Sequence, residues 1–191
     1  PIEGKGLSGN GKGYVVDIVE AAYKAAGVDI NVVFQPMKRS AITLGEGKYF
    51  ASIASKEIMY RGIPQEHLDC LNISYYYIYL HYFKSHFHGK VPVVEDLSDL
   101  QGYTVGDLIG NPLIERYKKA GVQLDGVSSN ELNLKKLVHG RIDFWQAVSL
   151  TAFFMVEKTF PEKLHDFASI NDMPLFGGSV DLNFLKSHQE Y

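Results

Sequence analysis

Helix and strand signals alternate along the chain, and that alternation constrains the fold more than any single motif. Gly13-Tyr14-Val15-Val16-Asp17 leads into a stretch in which Ile18, Val19, Ala22, Tyr23 and Ala26 share one helical face, with Gly27 as the stop. Asp17 and Glu20 stand there at capping-box spacing. Val28 to Gln35 reads as a buried strand, and Pro36-Met37-Lys38-Arg39 as a turn into a second helix that carries Ile42 and Leu44 and closes near Gly45 and Gly47. Tyr49 to Ala54 is the next strand. Helix, strand, helix, strand, joined by right-handed crossovers, predicts a parallel sheet with helices on its faces.

From Ser55 to Asp69 the pattern turns polar and irregular, and then Asn72 to Phe83 is almost continuously aromatic or aliphatic, a long strand. Lys84 to Lys90 brings two histidines and a glycine, a change of composition that suits a connection between lobes. The expected organisation is therefore a first lobe of residues 1–83, to which 179–191 returns, and a second lobe of 84–178. In the second, strands are expected near Leu124 to Val127 and over Ile142 to Val148. A helix opened by Ser128 and Glu131 and stopped by Gly140 lies between them, and Thr151 to Phe160 is helical up to Pro161. Phe176 to Phe184 reads as strand with loops.

Leu100 to Tyr117 condenses this logic into a strand, a turn and a helix start. Tyr103 to Leu108 has strand composition, Gly110 allows a tight turn, Asn111 is a good N-cap and Pro112 suits the first helical position. Such a turn leaves backbone N–H groups and the positive end of a helix dipole directed at one spot, which attracts an anion. A plain strand-to-helix connection has the same composition, so the turn alone does not decide between the two.

Composition removes several function classes. With 46% hydrophobic and 21% charged residues the chain is globular rather than disordered. A net charge of -3, with no Lys/Arg run beyond two, argues against a nucleic-acid partner. The single cysteine, Cys70, allows no internal disulfide, and no apolar run is long enough to span a bilayer. His81, His86 and His88 lack a companion cluster of Cys or carboxylates, so neither metal nor cofactor is expected. No Gly-x-Ser-x-Gly, Walker-type loop or His-Glu-x-x-His occurs.

Several phrases in order resemble the type II periplasmic solute-binding proteins, in particular the extracellular solute-binding protein family 3, the substrate-binding components of amino-acid ABC transporters. These are Pro1 followed by Gly13-Tyr14-Val15-Val16-Asp17; Pro36-Met37-Lys38-Arg39, with Met in place of a common Trp; and Gly47-Lys48-Tyr49-Phe50, with Phe50 for Asp. Arg61, Ser74-Tyr75-Tyr76-Tyr77, Leu100 to Gly106 and Gly140-Arg141-Ile142-Asp143 complete the set. The resemblance covers essentially the whole chain. It implies an α/β, two-lobed periplasmic binding protein-like II fold with a mixed or parallel sheet in each lobe. It also implies that the chain is trimmed at both ends, because family members begin with a strand before the proline and end with further helices.

The resemblance also implies a site. Arg61 matches the family's arginine that forks onto a ligand carboxylate, as a planar guanidinium does well; the alternative is a solvated loop arginine. Arg39 leaves the carboxyl end of a predicted strand, where open α/β sheets place ligands, or else is a helix-surface charge. Gly110 and Asn111 match the turn that offers N–H and side-chain groups to an acidic ligand group. Ser55 and Trp145 complete the candidate set, Trp145 as a stacking wall or as core. Val148 departs from the pattern: it stands five residues after Asp143, where the amino-acid binders carry an aspartate for the ligand's ammonium. The ligand then lacks an α-amino group, or another carboxylate such as Glu57 or Asp107 takes that part.

The expected function is capture of a small polar, carboxylate-bearing solute in an interlobe cleft, in the periplasm, for delivery to a membrane ABC permease. The alternatives are a ligand-sensing domain of a membrane receptor and an enzyme similar to cyclohexadienyl dehydratase. For the enzyme, no carboxylate or histidine stands at a spacing that marks a proton donor.

Overall fold

The computed structural model describes residues 12–111, 113–170 and 174–188. Most of the opening loop and Pro112 lie outside the described residues. The chain divides into two compact units, one running to Tyr76 and resuming at Gly177, the other Tyr77–Phe176. The division falls inside a strand rather than at Lys84, and Lys84–Phe87 is a 3-10 turn within the second unit.

In the first unit, helix α1 (Tyr14–Ala25) buries Val15, Val16 and Val19. It starts directly after Gly13, so Asp17 is a first-turn residue and not a cap. The positive φ of Gly27 lets its N–H reach Lys24 O at 3.0 Å and Val28 N–H reach Tyr23 O at 2.9 Å, a Schellman stop. Helix α2 (Met37–Gly45) and the single turn α3 (Lys56–Met59) follow, separated by strand β1 (Ala51–Ala54). Ala41, Leu44, Ala54, Met59, Ile63 and Leu68 form this unit's core.

Two expectations for this half are corrected. Val28 to Gln35 is not a strand: among the described residues no strand pairs with it, and Val33 is half exposed. An extended segment becomes a strand only when a neighbour supplies the ladder. The pairing that does form is antiparallel, β1 against β7 (Phe176–Leu185), with Ala51 opposite Phe184 and Ala54 opposite Asp181. The crossover rule predicts a parallel sheet here, but the partner of β1 comes from the far end of the chain, which local patterning does not reveal.

The second unit is built on the parallel trio expected from its sequence. Strand β3 (Thr104–Leu108) lies between β4 (Gln123–Val127) and β5 (Phe144–Val148), parallel to both. Strand β2 (Leu68–Phe83) runs antiparallel to β5, with Tyr79 opposite Ala147, and also takes the short β6 (Phe167–Ser169). Within this unit the hydrogen-bonded strand order is β2-β5-β3-β4. Helices α4 (Ile114–Lys119), α5 (Asn130–Val138) and α6 (Ser149–Thr159) complete the unit. The cap of α5 is Ser129, one residue beyond the expected Ser128; its Oγ accepts the Leu132 N–H at 3.3 Å. Leu80, Val105, Tyr117 and Phe144 anchor the core, each shielded from solvent.

Candidate ligand-binding residues

On the first unit, β1 delivers Ser55 to the start of α3. Ser55 is buried; its hydroxyl donates to Glu57 Oε2, and the Tyr76 hydroxyl is hydrogen-bonded to it. Burial pushes the Tyr76 phenol up, with Glu57 adding to the effect. Behind this group lies Asp181 of β7, also buried. Its Oδ2 accepts the Lys56 N–H at 3.0 Å and the Ser179 hydroxyl, and its Oδ1 accepts Asn72 Nδ2 at 3.3 Å. A carboxylate fixed by three donors holds the first turn of α3, and with it Ser55 and Glu57, in one place. Sequence reading missed Asp181. In Val180-Asp181-Leu182-Asn183 the polar residues alternate as they do on a solvent face, yet all four are buried.

Arg61 lies in the exposed turn after α3, with its N–H on Ile58 O at 3.2 Å. Among the described residues its guanidinium makes no hydrogen bond or ion pair, so its five donors are free for a partner from solution. Arg39 is exposed on α2, where its carbonyl accepts the Thr43 hydroxyl at 2.9 Å. The argument that put it at the end of a strand is corrected: the segment before α2 is no strand, and Arg39 is carried on the helix surface, its side chain unpaired among the described residues.

On the second unit, β3 ends at Leu108 and the chain turns through Ile109-Gly110-Asn111. Ile109 N–H bonds Val127 O at 2.9 Å, and Gly110 has φ +86°, which a residue with a side chain adopts only with strain. Asn111 is held from both sides. Its Nδ2 donates to Asp107 Oδ1 at 2.8 Å, and its Oδ1 accepts the Leu113 N–H at 3.0 Å. The picture of several free N–H groups at a helix start is corrected. The Asn111, Leu113 and Ile114 N–H groups all have partners within the chain, and α4 is only six residues long with Leu113 at its N-cap position. What the turn presents to solvent is Ile109 and Gly110.

Asp107 is 2% exposed, and burial pushes its carboxyl up to about 6, against the lowering effect of the Leu108 and Asn111 N–H donors. It is therefore a part of the scaffold and not an open acceptor for an ammonium group. Trp145 is fully buried, 6.1 Å from the His81 ring, so it packs the core and presents no wall to a ligand. Val148 closes β5, opposite Ile78, and stands at the N-cap position of α6. No group of three or more His, Cys, Asp or Glu among the described residues is placed to hold a metal ion.

No family model matches the sequence, and no curated protein matches it either. Solved structures do match, and the fold they share with this chain is that of the type II periplasmic amino-acid binding proteins. One is the arginine-bound, truncated arginine-binding protein of T. maritima, 17% identical, TM-score 0.70, covering 95% of this chain and 82% of that one. An ancestral arginine-binding protein bound to arginine is 21% identical, TM-score 0.69, with coverage of 98% and 84%. The GluR0 ligand-binding core in complex with L-glutamate is 9% identical, TM-score 0.74, with coverage of 93% and 78%.

Proposed function

We propose that the chain is a solute-binding module for an amino acid or a related small carboxylic acid. The observation that carries this reading is the likeness of fold over 93% or more of the chain to proteins solved with arginine or glutamate bound. The unpaired, exposed guanidinium of Arg61 supports it, because a free planar fork is what a ligand carboxylate requires. The proposed contacts are Arg61, Arg39 and Ser55 on the first unit and Gly110 and Asn111 on the second; Trp145 is not among them, being enclosed. Binding without turnover is part of the proposal.

In this reading the module works in the periplasm and passes its ligand to an ABC permease. Among the described residues no helix is long and apolar enough to cross a membrane. A sensory role is the second reading, favoured by the likeness to the GluR0 ligand-binding core. The test is a thermal-shift screen of amino acids and their deaminated analogues, followed by calorimetry and by mass spectrometry of the recovered ligand. A rise in melting temperature with one class, and unchanged ligand mass, is the expected result. No shift with any member overturns the binding reading, and a changed mass overturns the exclusion of catalysis.

A further inference from the structure

Among the described residues, the second unit buries several polar atoms that have no hydrogen-bond partner, including Asp107 Oδ2 on β3, Tyr117 Oη on α4 and both amide atoms of Gln146 on β5. β3 and β5 are parallel neighbours with Val105 opposite Phe144 and Gly106 opposite Trp145, so Asp107 and Gln146 are the next pair, on one face. Tyr117 is close enough to Asp107 for the carboxylate to raise its phenol further, beyond what burial does. The other oxygen of Asp107 is fully employed. Oδ1 accepts the Leu108 N–H at 2.7 Å and Asn111 Nδ2 at 2.8 Å. A buried carboxylate with one oxygen doubly bonded and the other bare is short of donors, and taking up a proton relieves it.

We propose that Asp107 is a positioning residue for Asn111: ionised, it holds the Asn111 amide in the turn after β3, and on taking a proton from solvent at Oδ2 it loosens Asn111. The inference rests on the proposed function only in so far as Asn111 touches a ligand. Hydrogen bonds to an ionised acceptor are about twice as strong as neutral ones, so the bonds from Leu108 and Asn111 weaken together when the charge is lost. Burial brings that change to about pH 6. Among the described residues, the neighbouring elements supply no cation to keep Asp107 ionised. On β4 its register partner is Gly126, while Asp125 of β4 pairs with Lys136 of α5 at 2.6 Å. On α4, Glu115 and Lys118 pair with each other at 3.0 Å and Arg116 lies over the Phe176 ring, and Asp143 ahead of β5 accepts the Thr104 N–H at 2.7 Å.

The test is an NMR titration of the whole 191-residue chain from pH 8 to 4.5, without ligand. It follows the Asp107 carboxyl carbon, the Leu108 backbone amide and the Asn111 side-chain amide. One shared midpoint near pH 6 is expected in the wild type, with flat Leu108 and Asn111 signals in Asp107→Asn. A carboxyl midpoint near 4, or an Asn111 amide that does not follow it, overturns the inference. The absence of ligand keeps this outcome separate from whether the chain binds an amino acid.

Discussion

The His81 imidazole lies stacked on the Phe167 ring, centroids 5.3 Å apart and planes 19° from parallel. The ring is fully buried, with Phe153 edge-on at 5.9 Å. Its hydrogen bonds define the tautomer. The Ala147 carbonyl can only accept, so Nε2 carries the proton across 3.2 Å, and Nδ1 accepts the Ser169 hydroxyl at 3.0 Å. Burial lowers this imidazole from 6.5 to about 4, with the Ala147 bond opposing. The histidine bridges β2 to β5 and β6 as a neutral group.

The first prediction follows from that bridge. The folded state disfavours the proton that the unfolded chain binds at 6.5, so the His81 contribution is fully present above pH 6.5. It is lost progressively as pH falls toward 4. The span of 2.5 units corresponds to about 3 kcal/mol at most. Urea unfolding at pH 7, 5.5 and 4 should show the decline, and His81→Phe should be flatter over the same window, whatever its absolute stability. Parallel declines in the two proteins would show that other groups control acid unfolding.

Asp107 acts with the opposite sign. Its folded value of about 6 lies above the ordinary 3.8, so holding it ionised costs stability above pH 6, and the cost disappears below 3.8. Asp107→Asn keeps an oxygen for the Leu108 and Asn111 donors and removes the charge. The variant should gain about 1 to 3 kcal/mol at pH 8 and nothing at pH 4, read from urea midpoints at the two pH values. Equal effects at both would place the benefit in packing instead of charge.

The legible parts of the fold are those with local physical causes. β3, β4 and β5 show as short segments with apolar positions a few residues after Gly102, Gly121 and Gly140, and Gly27 ends α1 in the expected way because only a positive φ completes its stop. Val28 to Gln35 has the same apolar run as a true strand, but strand formation needs a partner that no local window contains. For the candidate site, the sequence offers residue types but not the neighbours that hold them. Ser55 and Asn111 can be picked from their phrases, whereas the carboxylates that fix them, Asp181 for the turn containing Ser55 and Asp107 for Asn111, cannot. A polar residue inside a strand looks solvent-facing until the element packed over it is known.

Gly106 offers a test of the second unit's packing. A Cβ built there runs into Ile142 Cδ1 and lies 2.7 Å from Asn133 Oδ1, and Asn133 sits fully buried on α5. Gly106→Ala should therefore cost about 1 to 3 kcal/mol by overpacking. Ile142→Val, which shortens the nearer neighbour, should return part of that cost in the double variant. A Gly106→Ala protein with wild-type urea midpoint would mean that α5 moves away from β3 without penalty.

The last prediction concerns Arg61, whose side chain is exposed and unpaired among the described residues. Because it holds nothing in the fold, Arg61→Ala should leave stability within about 0.5 kcal/mol of the wild type. Its effect on binding should be much larger. Truncating one member of a desolvated charge pair costs about 2 to 4 kcal/mol, or some 30- to 1000-fold in affinity. Calorimetric titration with L-arginine, L-glutamine, L-glutamate and their deaminated analogues checks this, with the ligand that binds the wild type most tightly carried into the variant. Arg61→Lys separates fork from charge: a bidentate contact is recovered only slightly by an ammonium, and a long-range attraction almost completely. Val148→Asp adds a carboxylate at the end of β5 and should favour each α-amino acid over its deaminated analogue. Unchanged affinity in Arg61→Ala for a ligand that the wild type binds would remove Arg61 from the site and leave Arg39 as the free guanidinium on that unit to be tested next.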